Sequence, residues 1–286
     1  MKPAVFEMHA PDDVAGVVAL LTEYGDEAKV LAGGQSLAPM LALRLARFQH
    51  LVDLNGVVEL SGISRSNGHL RIGAMTRHYE VEGSGDVASS VPLLSRATAK
   101  VGHFQIRNRG TLGGSVAHAD PAAEQPAVCV ALDAVMEICS PEGIRQETAP
   151  DFFRGTWATS LGPGEVLGAV RFPIWSGRCG YAVEEVARRS GDFAIVGVVS
   201  AVEVDLAGVP TRAAVAMFGV GATPVRATSA EDALLAGANS SEAARAAMES
   251  IDPSDDLHAS GAYRRKVAGA LVERALDAAL KEAGDA

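Results

Sequence analysis

Apolar positions change their period along this chain, and the changes divide it. After Ala10-Pro11-Asp12-Asp13, the residues Val14, Val17, Val18 and Leu21 recur at helical spacing, and Gly25 supplies a stop. The proline and the two acids suit a first helical turn. Lys29-Val30-Leu31 reads as a short buried strand that runs directly into Ala32-Gly33-Gly34. The span from Gln35 to Leu45 is apolar on one side and predicts a helix opening from that loop. His50 to Leu54 reads as a second strand. Strand, helix and strand with a glycine loop at the joint predict a small βαβ unit.

From Val57 the pattern changes. Leu70 to Ala74 predicts a strand, with Thr76 placed to cap the turn after it. Val91 to Lys100 predicts a helix, and Asp120-Pro121 and Glu124 open another through Leu132. Val135 to Cys139 alternates like a strand, and Gly162-Pro163-Gly164 turns into the strand-like Glu165 to Phe172. Composition shifts between Pro173 and Gly180. Beyond it, Tyr181 to Ala187, Ala194 to Val204 and Ala213 to Gly219 read as an antiparallel meander. Alanine-rich helices follow at Ser229 to Ala236, Ser241 to Ser250 and Tyr263 to Ala283. The expected division is 1–56, 57–177 and 178–286.

Composition narrows the class. The chain has 286 residues, of which 48% are hydrophobic, so a sizeable core is available. The formal net charge is −10 and no basic run offers a nucleic-acid footprint. A phosphate site in such a chain must rely on local N–H groups rather than on the overall field. The start lacks the continuous apolar segment of a secretory signal, and no apolar run of about 18 residues predicts a membrane span. Cys129, Cys139 and Cys179 lack C-x-x-C spacing and are expected to be reduced thiols of a cytoplasmic protein, holding neither an iron–sulfur cluster nor zinc.

The candidate chemistry centres on Arg107 to Glu124, where Thr111-Leu112-Gly113-Gly114-Ser115 sets two glycines beside two hydroxyls. Glycine permits positive φ and close approach of a ligand, and successive amides in such a turn attract anions. Ala32-Gly33-Gly34-Gln35-Ser36-Leu37 has the same character. Either loop alone is equally an ordinary tight turn; together they predict one diphosphate held from two sides, hence a nucleotide cofactor. Gly219-Val220-Gly221 lacks the third glycine of a dinucleotide-binding fingerprint, and no P-loop is present. The seven histidines are scattered, His118 and Asp120 are two convergent groups at most, and no metal site is expected. No G-x-S-x-G elbow accompanies Ser115, which argues against hydrolase chemistry.

The ordered set Lys29 to Leu37, Arg107 to Ser115, Arg188-Arg189-Ser190-Gly191-Asp192-Phe193-Ala194 and Tyr263-Arg264-Arg265 resembles the medium, FAD-binding subunit of molybdenum hydroxylases. The likeness is to the carbon monoxide dehydrogenase medium-subunit type and to the flavin domain of xanthine dehydrogenase, and it covers essentially the whole chain. It implies an α+β chain: a PCMH-type FAD-binding domain of two α/β subdomains, then a three-stranded antiparallel sheet with helices. It implies that Leu31, Ala32, Gly33, Gly34, Gln35, Ser36 and Leu37, with Thr111, Gly113, Gly114 and Ser115, wrap the FAD diphosphate and ribityl chain. Lys29 and Ala117 complete that lining. Val101 packs against the cofactor, while Glu124 and Asp120 meet its sugar hydroxyls and Leu161 its nucleotide end. His78 and Phe193 lie near the isoalloxazine, with Phe193 covering one face. As simpler readings, Phe193 is a core aromatic, His78 a helix-start residue and Glu124 a favourable charge at a helix N-terminus. Where several relatives carry a lysine near the flavin's pyrimidine edge, this chain has Glu185, expected to face away or to be countered by Arg188 or Arg189.

The resemblance also implies partners. Molybdopterin sits on a large subunit and 2Fe–2S clusters on a small one, forming a heterotrimer or its dimer, a heterohexamer. Electrons pass through the FAD here to an external acceptor, with no catalytic residue on this chain acting on the organic substrate. Two other readings stand beside it: a self-sufficient flavin oxidoreductase, and a scaffold that has lost its flavin, against which the intact glycine loops argue.

Overall fold

Asp13 accepts a hydrogen bond from the Gly16 amide at 2.7 Å and so starts α1 (Val14–Tyr24), which ends where Gly25 takes φ 48°. The computed structural model describes residues 2–286; Met1, the first residue of the expected first subdomain, lies outside them. Around α1 stand β1 (Glu7–His9), β2 (Ala28–Leu31) and β3 (His50–Asp53), with α2 (Leu37–Ala42) between the last two. The central strand is β3, and both neighbours run parallel to it. The βαβ unit is present as expected. Its third strand, β1, is only three residues long and mostly exposed, so it carries no period for a sequence reading to detect. The helix expected over 35–45 is confined to α2, because Arg44 takes φ 59° and folds the chain back.

A second layer follows: β4 (Ile63–Ser66), β5 (His69–Gly73), α3 (His78–Gly83), α4 (Gly85–Ser90), α5 (Pro92–Lys100), α6 (Phe104–Arg109), α7 (Leu112–His118), α8 (Glu124–Ala131), β6 (Val135–Ser140), β7 (Gly143–Thr148), α9 (Ala149–Phe152), β8 (Phe153–Gly155), β9 (Ala158–Thr159) and β10 (Val166–Pro173). Five of these strands form one antiparallel sheet in the order β4-β5-β10-β6-β7. Leu70, Ile72, Met136, Ile138 and Phe172 project from it onto Leu93, Leu94, Leu112 and Val128 of the helices. Thr76 does not cap a turn: its hydroxyl binds the Gly62 amide and carbonyl at 3.0 and 3.2 Å, and Arg77 takes the cap position of α3.

The last layer is the antiparallel meander of β11 (Arg178–Val186), β12 (Val196–Val204) and β13 (Pro210–Phe218), to which β14 (Val225–Arg226) adds a two-residue fourth strand. It is followed by α10 (Thr228–Leu235), α11 (Ser240–Glu249) and α12 (Gly261–Asp285). Alternation decides the two faces of β11. Ala182 packs with Leu271 and Leu276 of α12, while Tyr181 and Val183 join Leu93 and Val128 of the preceding layer. The expected boundary near 178 is therefore one of sheets, whereas the apolar core runs through it. Arg96 of α5 grips Glu282 of α12 through two 2.6 Å bonds across the same joint. No helix among the described residues is long and apolar enough to cross a membrane.

Candidate functional site

The parallel strands β2 and β3 end in Leu31 and Asp53, and the segments beyond them meet the start of α7. Ligands of open α/β sheets settle outside such carboxyl ends. A Cβ at Gly33 would lie 2.4 Å from the Arg109 carbonyl oxygen and 2.7 Å from Gly110 Cα, so only glycine permits this approach. Ala32 in turn faces Gly114, where an added Cβ would lie 3.5 Å from the Ala32 methyl. The two glycine stretches thus form one wall.

Arg77 and Asn55 fasten that wall. Asn55 donates to the Ala32 carbonyl at 3.3 Å, and Arg77 donates to Asn55 Oδ1 at 2.5 Å and to the Arg109 carbonyl. Sequence reasoning missed both residues. The signal for Asn55 was its place just past a parallel strand; Arg77 had none, because its partners lie 22 and 32 residues away.

The two stretches work differently. Gly34 takes φ 73°, and among the described residues the amides of Gly33, Gly34, Gln35 and Ser36 donate to no protein acceptor. Gln35 Nε2 donates to the Gly33 carbonyl at 3.0 Å, so that carbonyl is engaged while the four amides are not. That is the donor set of an anion cradle. Thr111 to Ser115, expected as a second such turn, is instead the start of α7. Gly113 and Gly114 have ordinary negative φ, and the Leu112, Gly113 and Gly114 amides are engaged by Thr76 O, Ala74 O and the Thr111 hydroxyl at 3.0, 2.8 and 3.0 Å. The physical reason is packing: a Cβ at Gly113 would lie 2.4 Å from that of Ala74, so these glycines let α7 rest on β5's end. The Ser115 hydroxyl has no protein partner among the described residues.

Above the wall lies a set of titratable groups. His78 is buried against Gly110 and accepts at Nδ1 from Gln125 Nε2 at 2.9 Å, an amide that also donates to Thr98 at 3.1 Å. Burial, then Arg107 and Arg77, push His78 down to about 4, so it is neutral. Glu124 opens α8 with 5% exposure, and burial, reinforced by Glu185 and Asp120, pushes it up to about 7. Glu185 lies on the β11 face shared with Tyr181 and Val183, opposite Glu184, which pairs with Arg274 at 2.9 Å. Its Oε2 is buried, and its charge acts on Glu124. Burial raises its pKa and Lys100 opposes the rise. Arg188 and Arg189, the expected counterions, are exposed and form no ion pair among the described residues.

Residues 4–175 match the FAD binding domain in molybdopterin dehydrogenase, and residues 181–279 the CO dehydrogenase flavoprotein C-terminal domain. The chain belongs to this FAD-binding family. It is 41% identical to the 6-hydroxypseudooxynicotine dehydrogenase complex subunit alpha of Paenarthrobacter nicotinovorans, over 99% of this chain and 97% of that one. It is 38% identical to the carbon monoxide dehydrogenase medium chain of Hydrogenophaga pseudoflava, over 98% of each. The solved carbon monoxide dehydrogenase of that organism, a form lacking the Mo-pyranopterin moiety of its cofactor, superposes with a TM-score of 0.96 at 39% identity over 99% of each chain. This is an oxidoreductase subunit of the medium, FAD-binding type.

The donor chemistry, four amides with no protein acceptor among the described residues beside a positive-φ glycine, fits an FAD diphosphate at Gly33 to Ser36. Lys29 and Leu31 lie on β2, and Leu37 is the first residue of α2. Ser115 and Ala117 share α7 with the glycines. Asp120 is already engaged, accepting from the Ala122 amide at 2.9 Å and from Trp157 Nε1 at 3.1 Å. Trp157, held with φ 56° and stacked on His118, is a further residue that sequence reasoning missed. Val101 is half-buried after α5, and Leu161 packs on the second-layer core. Phe193 is not a core aromatic: it is 61% exposed, in the segment between β11 and β12.

Proposed function

We propose that this chain binds one FAD along the wall between its first two layers and serves as the electron outlet of a molybdenum hydroxylase. It would receive electrons from 2Fe–2S clusters on a small subunit and deliver them to an external acceptor, while a large molybdopterin subunit oxidises the substrate. The redox chemistry is the flavin's own; the chain supplies binding, orientation and tuning.

The carrying observation is the row of unengaged amides from Gly33 to Ser36 beside a positive-φ glycine, pressed against Arg109 and Gly110. In this reading Gly33, Gly34, Gln35 and Ser36 hold the diphosphate. Leu31, Ala32, Leu37, Lys29, Gly113, Gly114, Ser115 and Ala117 line its path, with Thr111 holding the start of α7. Val101, Asp120, Glu124 and Leu161 border the nucleotide and sugar parts, and His78 and Phe193 border the ring. Phe193, exposed between β11 and β12, is free to cover one face of the ring by stacking. We divide the chain as 1–56, 57–177 and 178–286, in keeping with its three main sheets. The partners are a small iron–sulfur and a large molybdopterin subunit in a heterotrimer or its dimer, in the cytoplasm.

The test is the absorbance of the chain purified alone and with its partner subunits. One FAD released per chain, reduced by substrate only when the iron–sulfur subunit is present, supports the reading. Reduction of the lone chain by an organic donor would replace it with a self-sufficient oxidoreductase, and a colourless complex would end it.

A further inference from the structure

We propose that Glu7, His9 and His50 form a binding site for one divalent transition-metal ion of the zinc type, at the edge of the first sheet and apart from the flavin wall. The parallel register sets Glu7 beside His50, and the period of two along β1 brings His9 to the same face as Glu7. The resulting geometry is that of a ligand set. His9 Nε2 and His50 Nδ1 lie 3.0 Å apart, Glu7 Oε2 lies 3.8 Å from His50 Nδ1, and one potential ligand atom from each residue falls within 4.8 Å of the others.

Two imidazole nitrogens and a carboxylate oxygen are common zinc ligands, and bonds of about 2.0–2.1 Å at a tetrahedral angle separate two nitrogens by about 3.3 Å. The observed 3.0 Å therefore needs only a small opening. The pair now shares a single hydrogen, one ring nitrogen donating and the other accepting. Metal binding moves that hydrogen to the outer nitrogen of its own ring, so both inner lone pairs meet the ion with no net proton lost. Tyr24 stacks on His50 with centroids 3.8 Å apart and planes 11° apart, and also on His9 at 5.1 Å. Both imidazoles are thus oriented by packing before any ion arrives, which lowers the ordering cost of binding. The ion would clasp the three-residue edge strand β1 to the central strand β3. The separation of 41 positions between the two histidines hid the set from any spacing rule.

The experiment is equilibrium dialysis of the full FAD-loaded chain against zinc chloride, with thermal unfolding of the same samples. Wild type is expected to take up one zinc per chain and to unfold at a higher temperature with zinc than without. Loss of mere second-layer partners weakens metal sites by about 10–100-fold. His9→Gln and His50→Gln are therefore each expected to weaken uptake at least about 100-fold, Glu7→Gln about tenfold, and all three to remove the thermal gain. His258→Ala, at an exposed histidine elsewhere, leaves uptake unchanged. Circular dichroism that matches wild type keeps the variants comparable. Failure of wild type to bind zinc, or uptake that survives both His9→Gln and His50→Gln, overturns the site. Neither result bears on FAD content, which is read separately at its visible absorbance.

Discussion

Gly33 and Arg109 meet so closely that the Arg109 carbonyl oxygen lies 2.4 Å from where a β-carbon on Gly33 would sit. Two layers separated by 76 positions in the chain are in backbone contact there, and no longer side chain fits. Overpacking of such a contact costs about 1–3 kcal/mol, hence roughly 5- to 150-fold in an equilibrium tied to it. Gly33→Ala is expected to lower FAD retention by at least about that smaller factor while far-UV circular dichroism stays near wild type. The ratio of flavin to protein absorbance after gel filtration measures it. Full FAD content in folded Gly33→Ala would show that the wall does not hold the cofactor.

How much of this was legible depends on the range of the determining interaction. The start and end of α1 could be read because Asp13 and Gly25 act within a few residues, and the meander of β11 to β13 because hydrophobic strands lie close in sequence. The helical state of Thr111 to His118 could not. Two glycines disfavour a helix by local propensity, and contacts with Ala74 and Thr76 from a distant strand end override them. At the site, the glycines at 33 and 34 stand out in sequence because backbone conformation demands them. Arg77, Asn55, Trp157 and the His9–His50 pair do not, since the contacts that matter there are with residues remote in the chain.

His78 sets an acid limit on stability. The unfolded histidine takes up its proton near 6.5, whereas the folded one resists until about 4. The unfolded state therefore binds more protons between these values, and stability is lost as pH falls through that window. At about 1.4 kcal/mol per tenfold difference in proton affinity, the loss approaches about 3 kcal/mol. His78→Gln removes this slope. Urea unfolding at pH 7 and pH 4.5 is expected to show the gap between wild type and variant narrowing in acid; a constant gap would mean that His78 is not held neutral.

Glu124 acts with the opposite sign. Its folded pKa of about 7 lies above the ordinary 4.5, so the folded state holds a proton that the unfolded state releases. The stability this gives is present below pH 4.5 and is lost as pH rises through 7. Glu124→Gln, which is neutral throughout, is expected to stabilise the FAD-free chain at pH 8 by up to about 3 kcal/mol. The gain should vanish at pH 4.5. If Glu124 also accepts from the cofactor's sugar, the same variant retains FAD less well, so the two readouts move in opposite directions.

Glu185 stands on the face of β11 turned toward Glu124, with Lys100 as the cation that opposes its raised pKa. One of its oxygens, Oε2, is buried with no hydrogen-bond partner among the described residues. A carboxylate beside a flavin disfavours its negatively charged reduced form, and a lysine favours it. Glu185→Lys is therefore expected to raise the flavin midpoint potential, and Glu185→Gln to raise it less. A spectroelectrochemical titration that finds the same potential in both variants would place the side chain out of reach of the ring.

Arg264, from the late Tyr263-Arg264-Arg265 stretch, is 7% exposed and ties three segments at once. Its guanidinium donates to the Ile195 carbonyl at 2.5 Å, the Gly219 carbonyl at 2.7 Å and Asp256 at 2.5 Å. The Gly219 amide in turn donates to the Pro121 carbonyl at 2.7 Å, just ahead of α8. The motif's second residue thus braces the turn after the meander against the segment that leads into α8. Removing it strands two carbonyls in the interior, and a hydrogen bond to a charged group is worth about 1.5–3 kcal/mol. Arg264→Met is expected to destabilise the chain by about 3 kcal/mol in urea unfolding. The retained FAD should keep an unshifted potential in the molecules that remain folded. A changed potential with unchanged stability would instead place Arg264 in the electrostatics of the ring.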